Sequence, residues 1–394
     1  MSTVIQNIAT AVPQYAYAQD YVLERMKGWA DEKRTRRLLH AIYKRSGIDV
    51  RHSVSGDFVE GAEGSLFRCD EAGTLEEPST QQRNDVYASE AQTLAVEVAG
   101  KLLADCDGIE ASDVTHVVFA SCTGFSNPGP ELAVIRELGI PQSVERYTLG
   151  FMGCYAAFPA LRMAKQFCEA NPQAVVMVIC LELCSLHIQI NGRPDTLLAN
   201  SLFADGAAAA LVTHAEYLPG DADHQPVYQM ENFASALIPS GEADMAWDIG
   251  DKGFNIVLSS YVPDVIAGNV ASLIATALEG TSCDLAGVTE WAIHPGGRSI
   301  IDKVANSLGL PEAVTQASRE VLRRYGNMSS ATILFVLKAM LDREPHGDGR
   351  TFAIAFGPGL TVETALMRRI APAPVAGLDS ANAEAEMLAA GILR

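Results

Sequence analysis

Short, fully apolar runs alternate along this chain with longer stretches in which apolar residues recur every three to four positions. Val117-Val118-Phe119-Ala120 and the segment from Ala174 to Cys180 are of the first kind and predict buried strands. The segments Asp85 to Ala104, Pro130 to Leu138 and Cys154 to Ala170 are of the second kind and predict helices. Such a strand and helix rhythm is that of an α/β domain, with helices packed on a sheet. After a polar break from Pro219 to Gln225 the rhythm resumes. It predicts a helix over Val262 to Leu278, a short strand at Trp291-Ala292-Ile293, a helix from Ser329 and a strand over Thr351 to Phe356. The chain therefore reads as two α/β halves, residues 1–225 and 226–371.

Two segments depart from this rhythm. The polar, glycine-rich stretch from Ser53 to Asn84 is expected to run over the surface, between an N-terminal helical arm and the first core. Beyond Ala371 the chain turns Ala-, Pro- and Glu-rich, and residues 372–394 are read as a tail outside the core, with no part in the chemistry.

Composition narrows the classes of function. A chain of 394 residues, 48% hydrophobic and 20% charged, is long enough for a large core. Its net charge of −19 disfavours nucleic acid and anionic lipid, so an anionic ligand must meet a local basic patch. No apolar run reaches the roughly 18 residues of a membrane span. The segment Met1 to Gln14 lacks a basic stretch followed by an apolar one. A soluble, cytoplasmic protein without integral membrane association is expected. Eight cysteines without dense spacing are not a disulfide framework and read as reduced thiols.

One of those thiols has a distinctive setting. Cys154 follows Gly153 in Leu149-Gly-Phe-Met-Gly-Cys-Tyr-Ala-Ala-Phe158, where a strand ending near Tyr147 or Thr148 runs into a helix. A helix N-terminus favours thiolate, the reactive form, and the glycines permit a tight turn and close substrate approach. Read alone, a cysteine is more often a small buried hydrophobe. His294 stands directly after the strand Trp291-Ala292-Ile293 and before Pro295-Gly296-Gly297, which would open it to a ligand or leave it bonded at a strand end. Asn327 precedes a helix, where asparagine is ordinarily a turn or N-cap residue. Together the three supply a nucleophile, a base or cation partner, and a second N–H donor for an oxyanion, sufficient for thioester transfer and enolate stabilisation. Cys180, Cys184 and His187 are not read as a zinc site, because Cys180 ends an apolar strand and no second ligand cluster follows.

The sequences Gly153-Cys154, His294-Pro-Gly-Gly297, Gly326-Asn-Met-Ser-Ser330 and Phe356-Gly-Pro-Gly-Leu-Thr-Val-Glu363 closely resemble the motifs of chalcone synthase-like, type III polyketide synthases, in family order and over about Val4 to Arg369. The resemblance implies a thiolase fold, two similar α/β halves forming a five-layered αβαβα core, and a homodimer. It implies an acyl-CoA starter and malonyl-CoA as substrates, with no bound cofactor and no metal. On that resemblance Cys154 carries the acyl group as an imidazolium-thiolate pair with His294, and His294 with Asn327 holds the thioester oxygen during decarboxylation. Phe203 matches the gatekeeping aromatic between CoA tunnel and cavity. The second gatekeeping phenylalanine falls on Ile256, with Phe254 two residues earlier, a departure that hints at room for an aliphatic chain. Trp247 replaces a small residue that helps set cavity volume, and Cys122 lies in a pocket-lining stretch. Ser329 counts with the substrate-contacting residues, and Gly357-Pro358-Gly359 would shape the cavity wall. Arg37, Lys44 and Arg45 would meet the CoA phosphates from one helix. The Ala-rich composition and the replaced gate are bacterial-type features of that family, and they incline the product toward pyrones and resorcinol- or phloroglucinol-type phenols. The competing readings are a β-ketoacyl-ACP synthase III, against which the Phe356–Glu363 sequence argues, a hydroxymethylglutaryl-CoA synthase, and an inactive scaffold that would ordinarily lack one of the three residues.

Overall fold

The computed structural model describes residues 2–30, 32–58, 66–69, 75–217, 225–343 and 349–370. Its first part comprises β1 (Thr3–Ala11), β2 (Tyr15–Ala18), α1 (Gln19–Trp29), α2 (Lys33–Arg45), β3 (Val50–Ser53), β4 (Arg68–Cys69), β5 (Leu75–Glu76) and the long α3 (Thr80–Ala104). There follow β6 (His116–Ser121), α4 (Pro130–Leu138), β7 (Glu145–Gly150), α5 (Ala157–Ala170), β8 (Val175–Leu183), α6 (Pro194–Leu202) and β9 (Asp205–His214). The second part runs through β10 (Val227–Leu237), β11 (Met245–Gly250), β12 (Gly253–Leu258), α7 (Val262–Leu278) and β13 (Glu290–Ile293). It closes with α8 (Arg298–Leu308), α9 (Gln316–Tyr325), α10 (Thr332–Leu341), β14 (Gly349–Gly357) and β15 (Thr361–Ile370).

Nine strands form one mixed sheet in the order β13-β14-β15-β10-β1-β9-β8-β6-β7. Its halves join at β1 and β10 through only two residue pairs, Val4 with Gln229 and Ile5 with Tyr228. The expected pair of sheets is thus hydrogen-bonded into one. Alternation along the strands explains the layers, because successive side chains leave opposite faces. In β9, Ala207 and Ala209 pack outward with α3 residues such as Ala91 and Leu94, while Ala208 and Ala210 pack inward against Leu161 of α5 and Ile333 of α10. Helices α5 and α10 also touch Ala292, Ala353 and Ala365 of the other half, so they form a central layer shared by both. On the far side, α7 and α8 cover Trp291, Ile293, Phe352 and Ile354. The result is five layers, helix, sheet, helix, sheet, helix, the arrangement of a thiolase fold.

Several expectations need correction. The N-terminal arm begins with β1 in the middle of the sheet, its residues mostly buried, before the chain turns helical. The stretch from Ser53 to Asn84 is not wholly superficial, since Phe58 and Phe67 are buried against Trp29 and Tyr17 at its described ends. Helix α3 starts at Thr80 instead of Asp85, because Ser79 and Gln82 form a capping box that satisfies its first amides. Strand β9 was missed because alanine is a poor strand former, and burial on both faces overrides that preference. Most of the Pro219 to Gln225 break and the tail after residue 370 lie outside the described residues. Among the described residues no helix is long and apolar enough to cross a membrane.

Ser79→Ala removes one side of the capping box and should lower stability by about 1 kcal/mol. A urea unfolding midpoint unchanged from the parent would show that the cap contributes nothing.

Candidate active site

Four chain ends converge where the two halves meet. The turn before α5 brings Cys154, the end of β13 brings His294, the turn before α10 brings Asn327 and Ser329, and the end of β14 brings Pro358, all lining one cavity of about 720 Å³. Cys154 lies three residues before the first residue of α5, so the helix starts later than the sequence suggests. The turn Gly153–Ala156, closed by the Ala156 amide on the Gly153 carbonyl at 3.0 Å, presents the thiol. Gly153 is required there: its φ is +92°, and a Cβ would stand 2.4 Å from Pro358 Cδ. Phe151, Ser329 and Leu360 also hold positive φ, each in or within two residues of the cavity wall. Non-glycine residues adopt this conformation at a cost of about 1–3 kcal/mol, and such strain gathers at functional sites.

Asn327 is held from both sides. Its amide donates to the Leu202 carbonyl at 2.9 Å and its own carbonyl accepts from Ala204 at 2.8 Å, which ties it beside Phe203. Its Oδ1 accepts from the Ser329 amide at 2.9 Å, a local turn bond two residues on, while the caps of the following helical turns, Met328 and Ala331, carry no side-chain bond. Its Nδ2 donates to the Gly296 carbonyl at 3.3 Å, in the loop that follows His294. His294 is anchored through its backbone, the amide donating to Ile354 at 2.8 Å. Its imidazole is 1% exposed, and neither ring nitrogen has a hydrogen-bond partner.

Burial sets the electrostatics of the two groups. Burial pulls His294 down to about 3, because no group here compensates the lost hydration of an imidazolium. Burial likewise pushes the Cys154 thiol up to about 11, against hydrogen bonds with Ser329 and Asn327 that act the other way. Both shifts act against a standing imidazolium-thiolate pair, although Cys154 itself is only half-buried. Beneath them lies Glu182, fully buried, which the sequence reading passed over. It accepts from the Cys122 amide at 2.9 Å, Thr123 Oγ1 at 2.9 Å and Ser330 Oγ at 2.5 Å, and burial raises its pKa. Cys122 Sγ lies 3.4 Å from Ser329 Oγ, so this network buttresses the floor under Cys154. A carboxylate inside the apolar strand Val175–Leu183 was the available signal.

The remaining expected residues divide. Cys122, Phe203, Trp247, Ile256 and Arg45 line the cavity, and Phe254 is turned away beneath it, stacked on His187 with ring centroids 3.9 Å apart. Gly357 and Gly359 do not line it. The Gly357 position instead lets Tyr155 pack close, since a Cβ there would stand 2.5 Å from its ring. Arg37 and Lys44 also fall outside the wall, because α2 turns Lys44 to Asp20, at 2.8 Å, and presents Leu38, Ala41 and Ile42 with Arg45 to the cavity. Arg298 and Lys303 of α8, unmarked in the sequence reading, line the same mouth, paired with Asp302 at 3.5 Å and Asp264 at 2.6 Å.

A thiolase fold with cysteine, histidine and asparagine at one cavity defines a condensing acyltransferase. Family models for the N-terminal and C-terminal domains of chalcone and stilbene synthases match residues 2–215 and 229–371, and the chain belongs to that family, as a type III polyketide synthase. It is 31% identical over 363 residues to the alpha-pyrone synthesis polyketide synthase-like Pks18 of Mycobacterium tuberculosis, covering 91% of this chain and 89% of the relative. It is 28% identical to probable polyketide synthase 1 of Dictyostelium discoideum, over 93% of this chain and 11% of that much longer protein. The crystal structure of PKS-I from the brown alga Ectocarpus siliculosus superposes with a TM-score of 0.83 at 30% identity, over 94% of this chain and 98% of that one. The C-terminal type III domain of Steely1 from Dictyostelium gives 0.83 at 27%, over 94% and 100%.

Alkylation of Cys154 by iodoacetamide, mapped by mass spectrometry, should speed up by about tenfold per pH unit from neutral pH toward about 11, since only the thiolate reacts. A rate flat from about pH 6 to 9 would instead reveal a standing ion pair. Gly153→Ala should cost at least about 1 kcal/mol in stability and slow the same alkylation, because the φ and the Pro358 contact must both give way.

Proposed function

We propose that this enzyme loads an aliphatic acyl group from acyl-CoA onto Cys154 and extends it iteratively with malonyl-CoA, releasing a pyrone or a phenol of the resorcinol or phloroglucinol type. The observation that carries this is the pair of unpartnered ring nitrogens of His294, buried in the same apolar cavity as the Cys154 thiol and the Asn327 amide. In loading, the thiol sulfur attacks the thioester carbonyl while its proton passes to His294, and the departing CoA thiolate takes that proton back. Malonyl-CoA then loses CO₂, and the electron pair moves into its thioester carbonyl. The enolate oxygen is held by N–H donors of His294 and Asn327. The apolar wall disfavours the malonyl carboxylate and so favours its loss. Attack of the enolate carbon on the Cys154 thioester expels the thiolate and leaves the lengthened chain on CoA for another round.

The mouth suits the rest of the substrate. Arg45 makes no ion pair among the described residues and stands free to meet CoA phosphates, with Arg298 and Lys303 beside it. Leu38, Ile42, Leu198 and Leu258 supply an apolar wall for an alkyl chain, and Ile256 leaves more room than an aromatic gate. The enzyme is taken to act as a cytoplasmic homodimer without bound cofactor.

Purified enzyme incubated with malonyl-CoA and a panel of acyl-CoAs should yield products with two or three malonyl-derived units without added carrier protein; a single extension that requires acyl carrier protein would replace this reading with a β-ketoacyl synthase. Cys154→Ala should abolish acyl loading and condensation, His294→Ala should also cripple decarboxylation, and Asn327→Ala should lower it strongly, with wild-type turnover in the cysteine variant refuting the scheme. Arg45→Ala should raise KM for CoA substrates by about tenfold with kcat nearly unchanged. An unchanged KM would place the phosphates elsewhere.

A further inference from the structure

Helix α6 ends beside the turn that carries Asn327, and its last carbonyls lack partners within the helix. Each is met by a different group. The Ala199 carbonyl accepts from the Phe203 amide at 3.0 Å. The Asn200 carbonyl accepts from Arg51 Nη1 at 2.7 Å and from Tyr43 Oη at 3.1 Å, and the Ser201 carbonyl accepts from Gln19 Nε2 at 2.8 Å. The Leu202 carbonyl takes the Asn327 amide, so Asn327 is itself one member of this cap. Phe203 follows, its carbonyl accepting from Arg51 Nη1 at 2.7 Å.

Arg51 therefore holds the chain on either side of Leu202, the residue that pairs with the Asn327 amide. It lies in β3, is 5% exposed and does not line the cavity, and neither does Gln19. Its Nε donates to Gln19 Oε1 at 2.8 Å, which joins the two side chains into one unit, and its guanidinium lies over the Tyr43 ring, with Cζ 5.6 Å from the centroid. The planar fork fixes the separation of the groups it holds, and a cation is favoured at a helix C-terminus. The stem reaches the residue before Asn327: a Cβ on Gly326, whose φ is +73°, would stand 3.0 Å from Arg51 Cγ and 3.0 Å from the Leu202 carbonyl oxygen. One buried side chain thus bears on Asn327 from two directions, through the end of α6 and through Gly326. Cys154 and His294 reach the cavity from the turn before α5 and the end of β13, to which Arg51 makes no hydrogen bond.

We infer that Arg51 is a positioning residue for decarboxylation which, by fixing the Asn200 and Phe203 carbonyls and packing its stem on Gly326, sets where the Asn327 side chain stands in the cavity. This rests on the role proposed above for Asn327 as a donor to the enolate oxygen. It separates decarboxylation from acyl loading, because the thiol and the imidazole are held by other elements.

The test uses full-length Arg51→Lys, which keeps the charge and loses the fork, Gln19→Leu, which removes the neighbour that orients it, and each of these combined with Asn327→Ala. Decarboxylation of malonyl-CoA alone is read as CO₂ and acetyl-CoA, the enolate taking a proton from solvent, and acylation of Cys154 is read by intact mass. The kcat for decarboxylation should fall about tenfold in Arg51→Lys and about threefold in Gln19→Leu, with KM and the acylation rate within about twofold of wild type. On the Asn327→Ala background neither change should lower decarboxylation further, because the donor they position is gone. Equal losses in acylation and decarboxylation, no loss in either, or a loss that persists in full without Asn327 overturns the role of Arg51, and Gln19→Leu decides the matter if Arg51→Lys does not fold. A wild-type enzyme that leaves malonyl-CoA intact, or an Asn327→Ala enzyme that decarboxylates it as fast as wild type, would instead remove the functional reading beneath it.

Discussion

The central layer is the constraint on which the rest depends. Helices α5 and α10 are packed on both sides by sheet, and their N-terminal ends must lie where the two halves of the sheet come together. Each helix is entered through a turn that lines the cavity, Cys154 before α5 and Asn327 with Ser329 before α10. The ends of β13 and β14 deliver His294 and Pro358 to the same place. Because α10 is buried over most of its length and α5 along the face that carries Phe158, Leu161 and Cys168, a shift of either helix would open a void, and packed interiors resist such movement. The cavity inherits that rigidity.

Burial has a second effect on the site. It pulls the His294 imidazole down and pushes the Cys154 thiol up, so that burial favours the neutral form of each. The same dryness strengthens every N–H donor pointed at a developing oxyanion. Glu182 carries the polar burden below, its buried carboxylate saturated by Cys122, Thr123 and Ser330.

Much of this was legible along the chain. Fully apolar runs revealed β6 and β8, and helical periodicity revealed α4 and α7 close to their observed limits. Cys154, His294 and Asn327 were marked by their turns and by the motifs around them, since glycine at Gly153 answers a local steric demand of the backbone. Strands β1 and β9 escaped because their identity depends on neighbours far away in sequence: an alanine run becomes a strand only when both faces are covered. The cations of α8 escaped for a similar reason, since a helix does not declare which of its faces borders a cavity.

By itself, then, the sequence determined many of the element types, the α/β class, the candidate residues Cys154, His294 and Asn327, and the family, because these follow from local periodicity, turn chemistry and short motifs. The tertiary structure decided what depends on juxtaposition. It turned Lys44 to Asp20 and left Arg45 at the mouth, placed Gly357 against Tyr155 instead of in the cavity wall, and joined two expected sheets through β1 and β10. It also set the direction in which burial shifts Cys154 and His294, because desolvation is a property of everything that surrounds a group and no stretch of chain encodes it alone.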